Sequence, residues 1–355
     1  MFTGIGQIND LVTTENYSQT DIECIAKKLD SFHNNTQLAI AKIHHGHLSF
    51  YGALKSNGRI IFVENSDAVF EIGSITKVFT STLLVMMANQ GLLSIDDSID
   101  KYLDYPLHNN TKITFKELAN HTAGLPRLPP SMLWKSIFTK NDNPYKNYIE
   151  DQLVDYLKHQ LKRKNKTRYN YSNLGVGILG YVLTQIANQS YEDLLQQYIF
   201  RPLSMNTSTT QCDQVTQYLV GGLNKKGKPT SHWDMASLSG AGAVLSSVHD
   251  LAKFVMANFD KDNAVFNLQR EKTFQVNGML SLALGWHIYT FKKPEIDQLY
   301  VHDGGTGGYR SILGVDINTQ NSVIILSNIS GLHFLKSGKL PNLAIDLMQN
   351  MMDQK

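Results

Sequence analysis

Apolar residues recur along this chain at two spacings, and the change from one to the other predicts its elements. Ile22, Ile25, Ala26 and Leu29 repeat at a helical interval behind Thr20-Asp21, which predicts a helix through about Phe32. Two strand-like runs follow at 37–44 and 48–55, separated by His45-Gly46-His47 in a hairpin pattern. Ser56-Asn57-Gly58 then turns the chain into a third run at 59–63. From 78 to 88 the residues are apolar on nearly every side, including Val78, Phe79, Leu83, Leu84 and Val85. That pattern predicts a helix buried all round, with Gly91 at its C-terminal cap.

The middle of the chain predicts helices in short pieces. Ser94-Ile95-Asp96-Asp97 and Thr114-Phe115-Lys116-Glu117 both have the capping-box spacing. Further helices are predicted at 153–161, at 174–188 and from Ser190 to near Arg201-Pro202. Gly175, Gly177 and Gly180 in the second of these would admit a close neighbour. The basic run Lys162-Arg163-Lys164-Asn165-Lys166 reads as solvated surface. Small residues at 239–243 suit a close backbone approach, and Ser247 caps a helix to about Asn258. Strands return at 282–289, 298–302, 309–316 and 322–327, before a last helix at 340–352. The predicted fold is α/β of the α+β kind: one antiparallel sheet built from both chain ends, flanked by helices, with an all-helical lobe inserted. The expected lobes are 1–90 with 236–355, and 91–235, with a cleft between them.

Composition changes this picture only slightly. The chain has 355 residues, 42% of them hydrophobic and 18% charged, enough for a large core. A net charge of +2 gives no electrostatic case for nucleic acid or an anionic membrane surface. No apolar run is long enough to span a bilayer. Residues 1–17 lack a basic start and a long apolar core, so the expected compartment is cytoplasmic as written, or periplasmic if a leader was removed. Cys24 and Cys212 are expected to be free thiols. His44, His45 and His47 surround a turn with no nearby cysteine or carboxylate cluster, so they read as a solvated turn, and no metal or cofactor is assigned.

Candidate chemistry lies where Phe70-Glu71-Ile72-Gly73 leads into the buried helix. Ser74 and Lys77 are three residues apart, which puts both on one helical face. Free N–H groups and the positive dipole end at that terminus favour developing negative charge. A hydroxyl beside an amine that can take its proton is a covalent-catalysis arrangement. The tetrapeptide alone arises often by chance. Two further stretches join it: Tyr171-Ser172-Asn173 at another helix start, and His302-Asp303-Gly304-Gly305-Thr306-Gly307-Gly308 beside a strand. Residues 309–315 are strand-like, which argues against a phosphate cradle in the glycine-rich stretch.

With these three motifs in order, and with Leu118 to Pro126 among the matching segments, the chain resembles the serine β-lactamase and penicillin-binding protein superfamily, in its class C β-lactamase-like branch. The resemblance covers roughly 37–328 and implies catalysis by Ser74, Lys77 and Tyr171, with the tyrosine as acid/base. It implies an oxyanion hole from the backbone N–H groups of Ser74 and Gly305. Asn173 would hold the Lys77 ammonium or a substrate amide, and His302, Asp303 and Gly304 would border the substrate, with Gly304 and Gly305 leaving it room. Tyr171 is preferred over Tyr169 because Asn173 follows two residues later.

Two departures bear on substrate. Where many relatives have Lys-Thr-Gly, this chain has His302-Asp303-Gly304, and where class C β-lactamases tend to carry Gln it has Leu128. An anionic Asp303 should repel a carboxylate and welcome an amine. The expected function is a serine hydrolase of the peptidase or esterase type acting on a small-molecule or peptide ester or amide, with weak β-lactam hydrolysis. A slow-turnover penicillin-binding or sensor protein, or a true class C β-lactamase, is the alternative.

Overall fold

The computed structural model describes residues 18–132, 143–164, 168–293, 296–332 and 338–353. In β1 (Gln37–His44), Leu38 and Ile40 join one hydrophobic cluster while Ala39, Ala41 and Ile43 join another. A strand buried on both faces belongs in the middle of a covered sheet. The remaining strands are β2 (His47–Ser56), β3 (Arg59–Phe62), β4 (Phe70–Glu71), β5 (Leu245–Ser246), β6 (Phe274–Gln275), β7 (Leu280–Leu282), β8 (His287–Lys293), β9 (Ile296–Gly305), β10 (Arg310–Asp316) and β11 (Asn321–Ser327). The main sheet runs β3-β2-β1-β11-β10-β9-β8-β7-β6, antiparallel throughout. Its centre pairs Leu38 with Ser327 and Ile43 with Ser322, so the two chain ends do build one sheet.

The helices are α1 (Gln19–Asp30), α2 (Thr76–Asn89), α3 (Phe115–Ala119), α4 (Glu150–Asp155), α5 (Asn173–Ala187), α6 (Tyr191–Leu195), α7 (Val248–Asn258), α8 (Ala264–Arg270) and α9 (Lys339–Asp353). Ile22, Ile25 and Leu29 of α1 and Leu340, Leu343 and Leu347 of α9 bury Leu38, Ile40, Val323 and Ile325 on one face of the sheet. Helices α2 and α7 belong to the cluster on the other face, with Ala39, Ala41, Ile324 and Leu326. Asp21 joins the terminal elements: its fully buried carboxylate accepts from Lys42 Nζ at 2.6 Å, Tyr51 OH at 2.9 Å and Asn350 Nδ2 at 2.8 Å.

Helix α2 is buried nearly all round and ends at Gly91, whose φ of +74° is the left-handed cap conformation. The glycines of α5 serve close packing. A Cβ on Gly180 would lie 2.9 Å from Gly240 Cα, and one on Gly177 would overlap Leu238. This seats 236–241 directly on α5. Both cysteines are free, and no described helix is long and apolar enough to cross a membrane.

Several expectations are corrected. The capping-box sequence at Thr114 does start α3, with both reciprocal hydrogen bonds formed. At Ser94 the local bonds form, with Asp97 Oδ2 accepting from Ser94 N at 3.0 Å, but they close a turn, and only a short 3-10 helix, Ile99–Tyr102, follows it. The Asp97 carboxylate there is also claimed by Tyr102 and Lys101. Arg163, placed by its sequence in a solvated run, is largely buried; its Nε donates to Ala123 O at 2.9 Å and its guanidinium pairs with Glu117. The histidine turn is solvated as expected, with His45 and His47 exposed, although its backbone is held: His45 N–H donates to Asn321 Oδ1 at 2.8 Å. The strand expected at 282–289 is two strands, because Gly285, with φ +75°, turns beneath α2. A Cβ there would sit 2.7 Å from Lys77 O.

Asp21→Ala leaves the Lys42 ammonium buried and unpaired. The expected loss is about 3–5 kcal/mol of stability in urea unfolding; a loss below about 1 kcal/mol would show that the ends of the chain are not held this way.

Candidate active site

Ser74 lies in a single 3-10 turn, Gly73–Ile75, between β4 and α2. Gly73 is needed twice: its φ is +50°, and a Cβ would come 2.8 Å from Gly305 N. On the other side Ser311 Oγ donates to Ile72 O at 2.7 Å. Pairing between β8 and β9 ends at His287 and Val301, so His302 to Gly305 are paired with β10 alone and meet the Ser74 turn backbone to backbone. The room expected at Gly304 is taken by the chain itself, since any Cβ there would overlap Ile72 O.

Lys77 is fully buried in the first turn of α2. Its Nζ donates to Ser74 Oγ at 2.8 Å and to Ala241 O at 2.7 Å. Burial, reinforced by the positive charge of Arg127 and opposed by Asp303, pushes the ammonium well below the usual lysine range. The carbonyl partner is held in place by the α2 side chains one turn apart. Thr80 Oγ1 donates to Gly240 O at 2.7 Å, and Thr76 Oγ1 accepts from Val244 N at 3.1 Å.

Tyr171 arrives from the residue before the Ser172 cap of α5, where Ser172 Oγ accepts from Gly175 N at 2.8 Å. Lys77 Nζ lies 5.0 Å from the Tyr171 ring centroid. Burial raises the phenol pKa, while a hydrogen bond with Ser74 and the charge of Arg127 pull it back. His121 packs on Tyr171 in a tilted arrangement at 4.4 Å between centroids, and Tyr169 OH bonds His287 Nε2 at 2.9 Å. Asn173 Nδ2 donates to Tyr145 OH at 2.8 Å, leaving Asn173 Oδ1 buried with no partner among the described residues.

His302 is buried, with Nδ1 2.9 Å from Asp303 O and Nε2 without a partner among the described residues. Burial, with His287 and Lys77 nearby, pushes its imidazolium well down and keeps the ring neutral. Asp303 is not the free carboxylate that its sequence suggested. Arg310, diagonally across on β10, pairs with it at 2.6 Å. The structure therefore brings Ser74, Lys77, Tyr171, Asn173, His302, Gly304 and Gly305 into one place, and turns Asp303 toward an arginine. A hydroxyl, a neutral amine and a phenol in contact can pass a proton among themselves while the hydroxyl attacks a carbonyl.

Residues 36–345 match the family described as Beta-lactamase. The chain belongs to the β-lactamase family. Penicillin-binding protein 4* of Bacillus subtilis (strain 168) is 25% identical over 288 residues, covering 74% of this chain and 61% of the relative. D-alanyl-D-alanine-carboxypeptidase/endopeptidase AmpH of Escherichia coli (strain K12) is 28% identical over 267 residues, covering 68% and 66%. The chain thus spans under two thirds of the length of these relatives. The crystal structure of a β-lactamase/D-alanine carboxypeptidase from Pseudomonas syringae superposes with a TM-score of 0.76 at 25% identity, covering 93% of this chain and 98% of that one. A class C β-lactamase from Rhodobacter sphaeroides gives 0.77 at 20% identity, covering 94% and 100%. The α+β architecture above is the fold of this family.

Five groups of the site carried no role in the sequence pattern of this β-lactamase-family chain: Arg127, His121, Tyr145, His287 and the Ala241 carbonyl. Arg127 had a signal, since it directly follows the Gly124-Leu125-Pro126 loop. Ala241 had a weaker one, in its small-residue segment. Tyr145 and His287 had none that spacing could supply.

The depressed Lys77 pKa has a consequence for stability. Between the folded value and the ordinary 10.5, the unfolded chain binds one more proton than the folded one, so this group makes stability rise with pH across that window. Lys77→Met should raise stability at neutral pH and flatten that rise, read by urea unfolding at a series of pH values. An unchanged slope would mean that Lys77 is charged in the folded protein.

Proposed function

We propose that this protein is a serine hydrolase that cleaves an ester or amide through an acyl group carried on Ser74, as a peptidase or esterase. The observation that carries the reading is the buried Lys77 amine, 2.8 Å from Ser74 Oγ and shifted toward its neutral form. Lys77 takes the Ser74 proton as Oγ adds to the substrate carbonyl. The backbone N–H groups of Ser74 and Gly305 stabilise the oxyanion, each worth about 2.7–4 kcal/mol in sites of this kind. Tyr171, kept protonated by burial, delivers a proton to the departing group and is recharged from Lys77. Water then adds to the acyl carbonyl and passes its proton back through the same pair, releasing the acid and restoring Ser74.

Asn173 Oδ1, buried and without a partner among the described residues, supplies an acceptor for a substrate N–H, which supports an amide or peptide substrate. The name of the Escherichia coli relative, a carboxypeptidase and endopeptidase, points the same way. β-Lactams are read as poor substrates because a neutral His302 stands where a lysine would meet their carboxylate. The cleft is assigned between 1–90 with 236–355, which supply Ser74, Lys77 and Gly305, and 91–235, which supplies Tyr171 and Asn173.

Turnover of p-nitrophenyl acetate or butyrate tests this. Ser74→Ala should lower kcat/KM by about 10³-fold or more, and Tyr171→Phe by about 10²–10⁴-fold. Mass spectrometry of the wild type, quenched during turnover, should place the acyl group on Ser74. Turnover that persists unchanged in Ser74→Ala would overturn the mechanism.

A further inference from the structure

Away from Ser74, a cavity of about 490 Å³ lies between the end of α8, the start of β9 and the turn that joins β10 to β11. None of the residues lining it belongs to the site described above. Its volume is in the range of pockets that hold small molecules. Its wall carries three cations, Lys261, Arg270 and Lys272, and one carboxylate, Glu271. The two lysines and the glutamate are exposed, whereas Arg270 is only 7% exposed.

Arg270 ends α8, and its guanidinium is fixed from two sides. It donates through Nη1 to Asn258 O, at the end of α7, and through Nη2 to Asn267 Oδ1, one turn back, at 2.6 Å. Asn267 is held in turn, with Nδ2 donating to Lys261 O at 2.7 Å. A guanidinium has five N–H donors and stays protonated at neutral pH, so two bonds to described residues leave three donors. No carboxylate among the described residues forms an ion pair with it. Asp260 is felt at Arg270 only as a charge, and its Oδ1 accepts from Asp262 N at 2.9 Å. Asp316, at the β10–β11 turn, accepts from Asn318 N and Thr319 N at 3.0 and 3.3 Å. Burying a charge is costly unless an opposite charge meets it. The side of Arg270 from which an anion can meet it is the cavity.

The charge of the wall selects the anion. Three cations and one carboxylate leave the lining at +2. A carboxylate ligand would bring a single negative charge. A phosphomonoester carries about −1.5 to −2 near neutral pH and presents three acceptor oxygens, as many as the remaining N–H groups of Arg270. Tyr300 and Ile317 add apolar surface to the wall, and Trp286 packs edge-on against the Tyr300 ring at 6.4 Å between centroids. We propose that this cavity binds a small phosphomonoester, its phosphate on Arg270 with Lys261 and Lys272, and its organic group against Tyr300 and Ile317. The site is separate from Ser74 and does not depend on the hydrolase reading.

Calorimetric titration with phenyl phosphate, phenyl sulfate and inorganic phosphate tests this. The wild type should bind phenyl phosphate saturably and about tenfold more tightly than either other anion, since the sulfate has less charge and inorganic phosphate has no ring. Arg270→Gln should weaken phenyl phosphate by about ten- to hundredfold. Because Arg270 also ties α8 to α7, this variant can fail to fold, which thermal melting by circular dichroism would reveal. The exposed pair Lys261→Glu/Lys272→Glu then decides, with an expected loss of about tenfold or more. Absence of saturable binding, equal affinity for phenyl sulfate or inorganic phosphate, or an affinity in the double lysine variant within about twofold of the wild type overturns the proposal.

Discussion

Lys77 is a primary amine sealed inside the protein, and its two hydrogen bonds go to a hydroxyl and a carbonyl. A charged ammonium in such a place is costly, so burial drives it toward the neutral amine that a hydroxyl nucleophile needs. Much of the surrounding structure maintains that burial. Helix α2 can be apolar on nearly every side because the sheet, α5 and the 236–244 segment all cover it. That segment fits only because Gly180 and Gly240 carry no side chains where they meet. Thr76 and Thr80 then fix its backbone, and with it the Ala241 carbonyl that receives Lys77.

The mouth of the site carries a different charge pattern from its interior. Asp303 and Arg310 form a diagonal cross-strand pair, which leaves that stretch of β9 close to electrically neutral. The histidines behind it are neutral because they are buried. The surplus positive charge sits on the opposite wall, at Arg127 over Tyr171. The wall that carries Tyr171, and not the strand, therefore holds an arginine with no ion-pair partner among the described residues.

What the sequence made legible was local or one-dimensional. The Ser74–Lys77 contact follows from a three-residue helical spacing, and the caps at Thr114, Ser172 and Ser247 act within a few residues of themselves. The strand at 37–44 was written as an apolar run interrupted by Lys42. What stayed hidden needs coordinates from distant segments. The Asp303–Arg310 pair depends on strand register, Arg163 is buried by residues some forty positions away, and the break between β7 and β8 exists because Gly285 passes under Lys77. At Ser94 the correct local bonds formed without an α-helix, because side-chain caps alone do not extend one without a packed face to follow.

The pairing of β1 with β11 also orders events in time. On a ribosome the Ser74 helix emerges well before β9, which brings Gly305 against Gly73, and before β11, which fills the centre of the sheet. Contacts between such remote segments are slow to close. A growing or truncated chain therefore holds its serine and lysine without the strand that would complete an oxyanion hole. In the proposed hydrolase reading, acyl transfer becomes available only to chains in which β9 has taken its place in the sheet.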